Sequence, residues 1–217
     1  MQQITGKGIK VTDEFNLYEY IYTSKVQRIR TIYQLSINGI LLDLENWKKR
    51  EIIYKEKIKN GYKETPLQQN GNIIFFPEEE DIRDDINIIL DLINITNKNF
   101  MVSIYQNWER YWYDFFIKTH DHKELTNYKS ISDKIRLHYA FNDGIVNIKN
   151  IANAIKHGNK ETLNSLRKHF PDMFRLNDGN EDFIVDTFGS EAINITKARV
   201  EWAFDVIMEA GPRSIKI

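Results

Sequence analysis

The chain has 217 residues and a net charge of −1, with 41% hydrophobic residues, 28% charged residues and no cysteine. This balance is typical of a globular protein with a substantial core, and it excludes disulfides, thiolate nucleophiles and cysteine-bound zinc. Because the net charge is near zero, contact with nucleic acid would need a local basic patch. No stretch resembles a signal peptide or a membrane span, so we expect a cytoplasmic protein without membrane contact.

The N-terminal third has the helical period. From about residue 13 to 60, apolar residues recur at three- and four-residue steps, as in Val26, Ile29, Tyr33 and Ile37. This spacing predicts one long helix, or a pair of helices if Gly39 breaks the run. Residues 60–79 hold two of the four prolines. Their short apolar run, residues 73–76, has no evident strand partner, so the segment is predicted to be a loop.

Two further helical patterns follow, separated by the asparagine-rich stretch 94–99, which is a candidate break. The second pattern carries an aromatic stripe at four-residue spacing, made of Phe100, Ile104, Trp108, Trp112 and Phe116. Such a stripe could be a base-stacking platform, but its rhythm favours a core helix.

The remaining sequence predicts helices over 130–141, 145–157, 159–170 and 190–210, with a small extended element near 173–190. Gly158 is expected to end one helix and Asn159 to cap the next. The expected fold is therefore all-α, a single helical bundle in one domain of residues 1–217, with its central bundle over 80–210.

The candidate site lies at the end of the helix 145–157, in the segment ANAIKHG. Asn153 and His157 are four residues apart, so their side chains leave the same helix face. An imidazole can move protons near neutral pH, and the amide could orient it or a substrate. Lys149 and Lys156 add positive charge suited to phosphate. The alternative is that His157 has only a structural role, at the C-terminal end of its helix, where the helix dipole stabilises a cation by about 0.3–1 kcal/mol.

Other histidines are weaker candidates. The triplet His120-Asp121-His122 suggests a metal site, but neighbouring alternating positions do not converge easily and no third ligand is evident. His169 precedes Phe170 and Pro171, where it can satisfy a helix end. We therefore predict neither a metal nor a cofactor.

The segment ANAIKHG, together with the upstream aromatic helix YQNWERYWYDFF, resembles the HEPN superfamily of small helical proteins. The resemblance extends over roughly residues 80–210. It implies a homodimer that acts on RNA or a nucleotide in bacterial defence, as a metal-independent ribonuclease or as a toxin–antitoxin partner. It assigns His157 as acid or base and Asn153 as its orienting residue. From their positions beside the motif, Lys149 or Lys156 is the candidate phosphate contact.

The sequence departs from the family pattern at one position. The family motif has an arginine before the asparagine, and that position is Ala152 here. An alanine cannot stabilise the negative charge that develops on the phosphorane oxygens, so a lysine would have to replace the arginine. The alternative implied by the resemblance is an inactive dimerisation or binding module that contacts a partner protein from the same operon or a nucleotide.

Overall fold

The structure, a computed structural model, describes residues 17–64, 67–69, 72–74, 78–120, 128–139, 141–174 and 189–212. Within these ranges the chain forms six α-helices: α1 Leu17–Lys59, α2 Glu78–His120, α3 Tyr128–His138, α4 Gly144–His157, α5 Lys160–His169 and α6 Lys197–Glu209. The predicted all-α class is confirmed. None of the helices in the described ranges is both long and apolar enough to span a bilayer.

Within segment 60–79, which was predicted to be a loop, the structure places two short strands. Strand β1, Leu67–Gln69, pairs antiparallel with strand β2, Asn72–Ile74, with Leu67 opposite Ile74. The prediction that the run from residue 73 lacks a strand partner was wrong. The partner is a neighbouring segment of mostly polar residues, which apolar patterning does not reveal.

Helix α1 is continuous over 43 residues, so the alternative of a helix pair does not apply. Gly39 is exposed on this helix, and a Cβ built on it would meet no atom within 4 Å. A glycine in a helix interior costs only about 1 kcal/mol. The burial of Tyr33, Ile37 and Leu44 on the other face outweighs that cost.

Helix α2 also continues through its candidate break. Asn97 in that stretch is fully buried, and its Nδ2 donates a hydrogen bond to the carbonyl oxygen of Ile195 at 2.6 Å. The asparagine therefore satisfies a backbone group in the core instead of ending the helix. Downstream, the predicted core stripe is confirmed at four of its five positions, because Ile104, Trp108, Trp112 and Phe116 are each at most 2% exposed, whereas Phe100 is half-buried.

The chain divides into two units, each with its own internal packing. One consists of Met1–Ile32 with Asn97–Ile217, and the other is Tyr33–Thr96. Helices α1 and α2 contribute residues to both. The first unit contains two clefts, one beside the connection between α4 and α5 and one between α1, α2 and α6.

Three aromatic donors from α1 and α2 meet the C-terminal end of α6. The Tyr22 hydroxyl donates to the carbonyl oxygen of Ile207 at 2.6 Å, and the indole nitrogens of Trp108 and Trp112 donate to that of Ala210 at 3.3 and 3.0 Å. Carbonyls at the end of a helix lack the full set of intrahelical donors, and burying them without donors is unfavourable. The Ile207 carbonyl accepts the Ala210 N–H at 3.1 Å as well as the Tyr22 hydroxyl, and the indoles serve the Ala210 carbonyl. Burial raises the pKa of Tyr22 well above its usual value, which keeps the donor protonated.

Helix α6 begins later than predicted, at Lys197 instead of near residue 190. Thr196 is its N-cap, and the hydroxyl oxygen accepts a hydrogen bond from the Arg199 backbone N–H at 3.2 Å. The preceding residues Gly189–Ala192 form a 3₁₀ turn, and Ile193 makes an antiparallel bridge with Phe174. Of the extended element predicted near 173–190, residues 175–188 lie outside the described part of the chain.

Two glycine substitutions are expected to have opposite effects on stability. At Gly211, an added Cβ would overlap ring carbons of Tyr22. Gly211→Ala should therefore lower the free energy of unfolding by about 1–3 kcal/mol, the usual cost of overpacking. The matched change Gly39→Ala, at an open helical position, should raise it by up to about 1 kcal/mol. Thermal or urea unfolding of both variants tests this, and equal effects at the two sites would contradict it.

Candidate functional site

The candidate site is built on the connection between α4 and α5. Helix α4 ends at Gly158, which has the left-handed φ of 56° and donates its N–H to Ala154. Asn159 caps α5, because its side-chain oxygen accepts a hydrogen bond from the Thr162 N–H at 2.9 Å. Both predicted cap roles are confirmed. A Cβ at position 158 would also lie 3.2 Å from the Ser190 backbone nitrogen. Both the left-handed φ and this close approach therefore favour glycine at this position.

The apolar face of α4 packs into the core, and this determines which side chains of the segment ANAIKHG are exposed to solvent. Ile145, Ile148, Ile151, Ala152 and Ala154 are all fully buried. Ala152 stands five residues before His157, which places it about 140° around the helix from the imidazole. Position 152, where the resembled motif has its arginine, thus points into the core of this protein. An arginine there would have to bury its charge.

A cleft of about 430 Å³ lies beside this connection, and we call it the α4–α5 cleft. It is lined by Lys149, Asn150, Asn153, His157, Glu161, Thr162, Ser165, Leu166, His169 and Phe170. The structure therefore brings together three of the four predicted site residues, Lys149, Asn153 and His157. Lys156 is exposed but does not line the cleft.

A second imidazole, that of His169, joins the same cleft from the end of α5. Its Nδ1 lies 2.8 Å from the carbonyl oxygen of Ser165. A carbonyl can only accept, so Nδ1 must be the donor, which leaves Nε2 as the proton acceptor of the neutral ring. The sequence prediction that His169 merely satisfies its helix end was incomplete. The missed signal was the four-residue spacing of Glu161, Ser165 and His169, which puts all three on one face of α5.

The charges lining the α4–α5 cleft are mixed. Lys149 supplies an ammonium group and Glu161 supplies a carboxylate, and within the described ranges no arginine lines the cleft. A phosphate in the cleft would therefore meet one fixed cation and no guanidinium fork. The arrangement offers two groups for proton transfer and limited stabilisation of an anion.

Within the described ranges, no group of three histidine or carboxylate side chains is placed to bind a metal ion. The His120-Asp121-His122 candidate cannot be placed, because the His120 side chain and the two following residues lie outside those ranges. The absence of a metal and of a cofactor stays a prediction.

Comparison with known proteins gives no match to any family model, any curated protein or any solved structure.

The cap that starts α5 gives a direct test of the connection. Asn159→Ala should lower the free energy of unfolding by about 0.5–2 kcal/mol, because the Thr162 N–H loses its acceptor. Asn159→Asp should retain most of the stability, since a carboxylate caps as well as an amide. Urea unfolding measures both variants. An alanine variant as stable as the aspartate variant would show that the cap contributes little.

Proposed function

We propose that this is a HEPN-like protein of a bacterial defence or stress system that cleaves RNA without a metal ion. The observation that carries the proposal is that the imidazoles of His157 and His169 line one cleft together with Lys149 and Asn153. Two imidazoles can act as the base and the acid of one reaction.

The chemistry that fits these groups is internal transesterification. One imidazole takes the proton of a ribose 2′-hydroxyl, whose oxygen attacks the adjacent phosphorus. The bond from phosphorus to the 5′-oxygen breaks, and the other imidazole, in its protonated form, gives that oxygen a proton. The products are a 2′,3′-cyclic phosphate and a 5′-hydroxyl. Lys149 would face the phosphate, and Asn153, one turn before His157, would orient that ring.

The His169 ring is held in a way that suits such a role. Because Nδ1 is occupied by the Ser165 carbonyl, the exchangeable position is Nε2. A fixed tautomer is the usual means of preparing an imidazole for proton transfer. The hydrogen bond joins residues four apart on α5, so it orients the ring without help from another element.

The second candidate is a non-catalytic module that binds a partner protein from the same operon or a nucleotide. Two observations favour it. Position 152 holds a fully buried alanine, and the Glu161 carboxylate shares the cleft with the single lysine. Both features weaken the stabilisation of a developing negative charge.

Homodimer formation is part of either candidate. In the unit Tyr33–Thr96, large apolar side chains are exposed on both helices, including Leu35 at 72%, Leu42 at 57% and Ile88 at 63%. Leu35 and Leu42 are one heptad apart and share a face of α1. Apolar side chains repeated on an exposed helix face are typical of a surface that binds another helix.

Cleavage of total RNA in the presence of EDTA tests the ribonuclease proposal. The unsubstituted chain should yield fragments with cyclic phosphate and 5′-hydroxyl ends. His157→Ala and His169→Ala should each slow cleavage by roughly 10²–10⁴-fold, the usual contribution of a positioned acid or base. A bell-shaped dependence of rate on pH should lose one limb in each variant.

Lys156→Ala is the matched control, because Lys156 is a motif residue outside the cleft, and it should cleave at nearly the full rate. Circular dichroism should show that each histidine variant is folded. If the unsubstituted chain leaves RNA intact, or if the histidine variants cleave as fast as it does, the ribonuclease proposal is wrong and the binding module stands.

Light scattering tests the dimer. The chain should have twice its monomer mass, and the double variant Leu35→Glu with Leu42→Glu should be monomeric, because burying two carboxylates at an apolar interface is costly. Leu137→Glu, at a leucine of α3 that is 73% exposed, is the control and should stay dimeric. A monomeric parent chain would contradict the dimer, and a dimeric double variant would exclude this surface.

A further inference from the structure

A second cleft, of about 390 Å³, lies between α1, α2 and α6, and we call it the α1–α2 cleft. It shares no lining residue with the α4–α5 cleft. Its volume falls in the range typical of small-molecule sites. Nothing in the proposed RNA chemistry uses it.

The floor of the α1–α2 cleft is apolar. Val26 from α1, Ile104 and Trp108 from α2, and Phe204 and Ile207 from α6 are all nearly or fully buried. The indole N–H of Trp108 already donates to the Ala210 carbonyl. These floor side chains are at most 6% exposed, so the carbon surface open to an occupant comes mainly from the half-buried Ile29 and Tyr111, which also line the cleft. Burying an apolar group against that surface is favourable.

The rim of the same cleft is cationic. Lys25 and Arg28 reach it from α1 and Arg110 from α2, while Asp114 is the single carboxylate among the lining residues. The lining thus carries a net charge of +2. Within the described part of the chain, neither Arg28 nor Arg110 takes part in an ion pair.

The nearby carboxylates of α6 are already engaged. Arg30 on α1 pairs with Glu201 at 2.7 Å and with Asp205 at 2.8 Å. These two carboxylates therefore have a guanidinium partner of their own. The Lys25 ammonium lies 5.7 Å from the centre of the Tyr111 ring, a cation–π contact that keeps the charge at the edge of the cleft.

We propose that the α1–α2 cleft binds a small organic acid with a flat apolar ring body and one carboxylate. The ring body would cover the floor, and the carboxylate would lie at the rim between Arg28 and Arg110, whose guanidinium groups can each hold it by two parallel hydrogen bonds. An apolar floor alone would accept any hydrophobic ligand. Arg28 and Arg110, which form no ion pair with the described residues, would select the acid.

The experiment uses two probes with the same ring body, 1-naphthoate, which is charged, and 1-naphthamide, which is neutral. Binding to the full chain is followed by ligand-detected NMR and by quenching of tryptophan emission, since Trp108 lies in the floor. The parent chain should bind naphthoate about fivefold more tightly than naphthamide, a difference that matches one or two partly exposed ion pairs.

The double variant Arg28→Gln with Arg110→Gln should lose this preference while its affinity for naphthamide stays unchanged. Arg83→Gln, at an exposed arginine of α2 outside the cleft, is the matched control and should keep it. Circular dichroism checks that all variants are folded. The proposal is overturned if the parent binds neither probe, if it binds both equally, or if the preference survives in the double variant or is lost in the control.

Discussion

The first unit depends on the satisfaction of the last carbonyls of α6 by Tyr22, Trp108 and Trp112. A helix end that is buried without partners is strongly destabilising, because each orphaned carbonyl loses its water. Here the donors are large aromatic side chains, so the groups that satisfy the helix end also supply much of the core. The same rings fix where α1, α2 and α6 meet, and that meeting point forms the floor of the α1–α2 cleft. The close approach leaves room for no side chain at Gly211.

The periodicity of apolar residues predicted the class of the fold and most of the helices, because a helix that buries one face has apolar residues at three- and four-residue spacing. It left open whether α1 breaks at Gly39 and whether α2 breaks near Asn97, because local helix preference and apolar spacing disagree at both places. Gly39 and the stretch around Asn97 are poor helix formers, yet α1 and α2 run through them. The hydrogen bond from Asn97 to Ile195 joins residues far apart in the sequence, so a local sequence pattern cannot predict it. The hairpin of β1 and β2 escaped prediction because its first strand is largely polar.

The candidate site was predictable on α4 and only partly predictable on α5. The spacing of Asn153 and His157 specified a shared face, and the short connection through Gly158 specified that α5 follows at once. The participation of His169 depended on how the two helices pack, which the spacing on one helix does not determine. The burial of Ala152 likewise depends on how α4 packs against other helices, which the spacing along one helix does not determine. Position 152 therefore faces the core and not the cleft.

The bond between Tyr22 and Ile207 spans 185 positions of the sequence. Closing so long a loop carries a large entropic cost, and contacts of this kind slow folding. During synthesis, the hydroxyl of Tyr22 and the two indoles cannot reach their acceptors until residue 210 has left the ribosome. The aromatic core of the first unit is therefore completed only after this region has been translated, and until then its large rings lack their native burial.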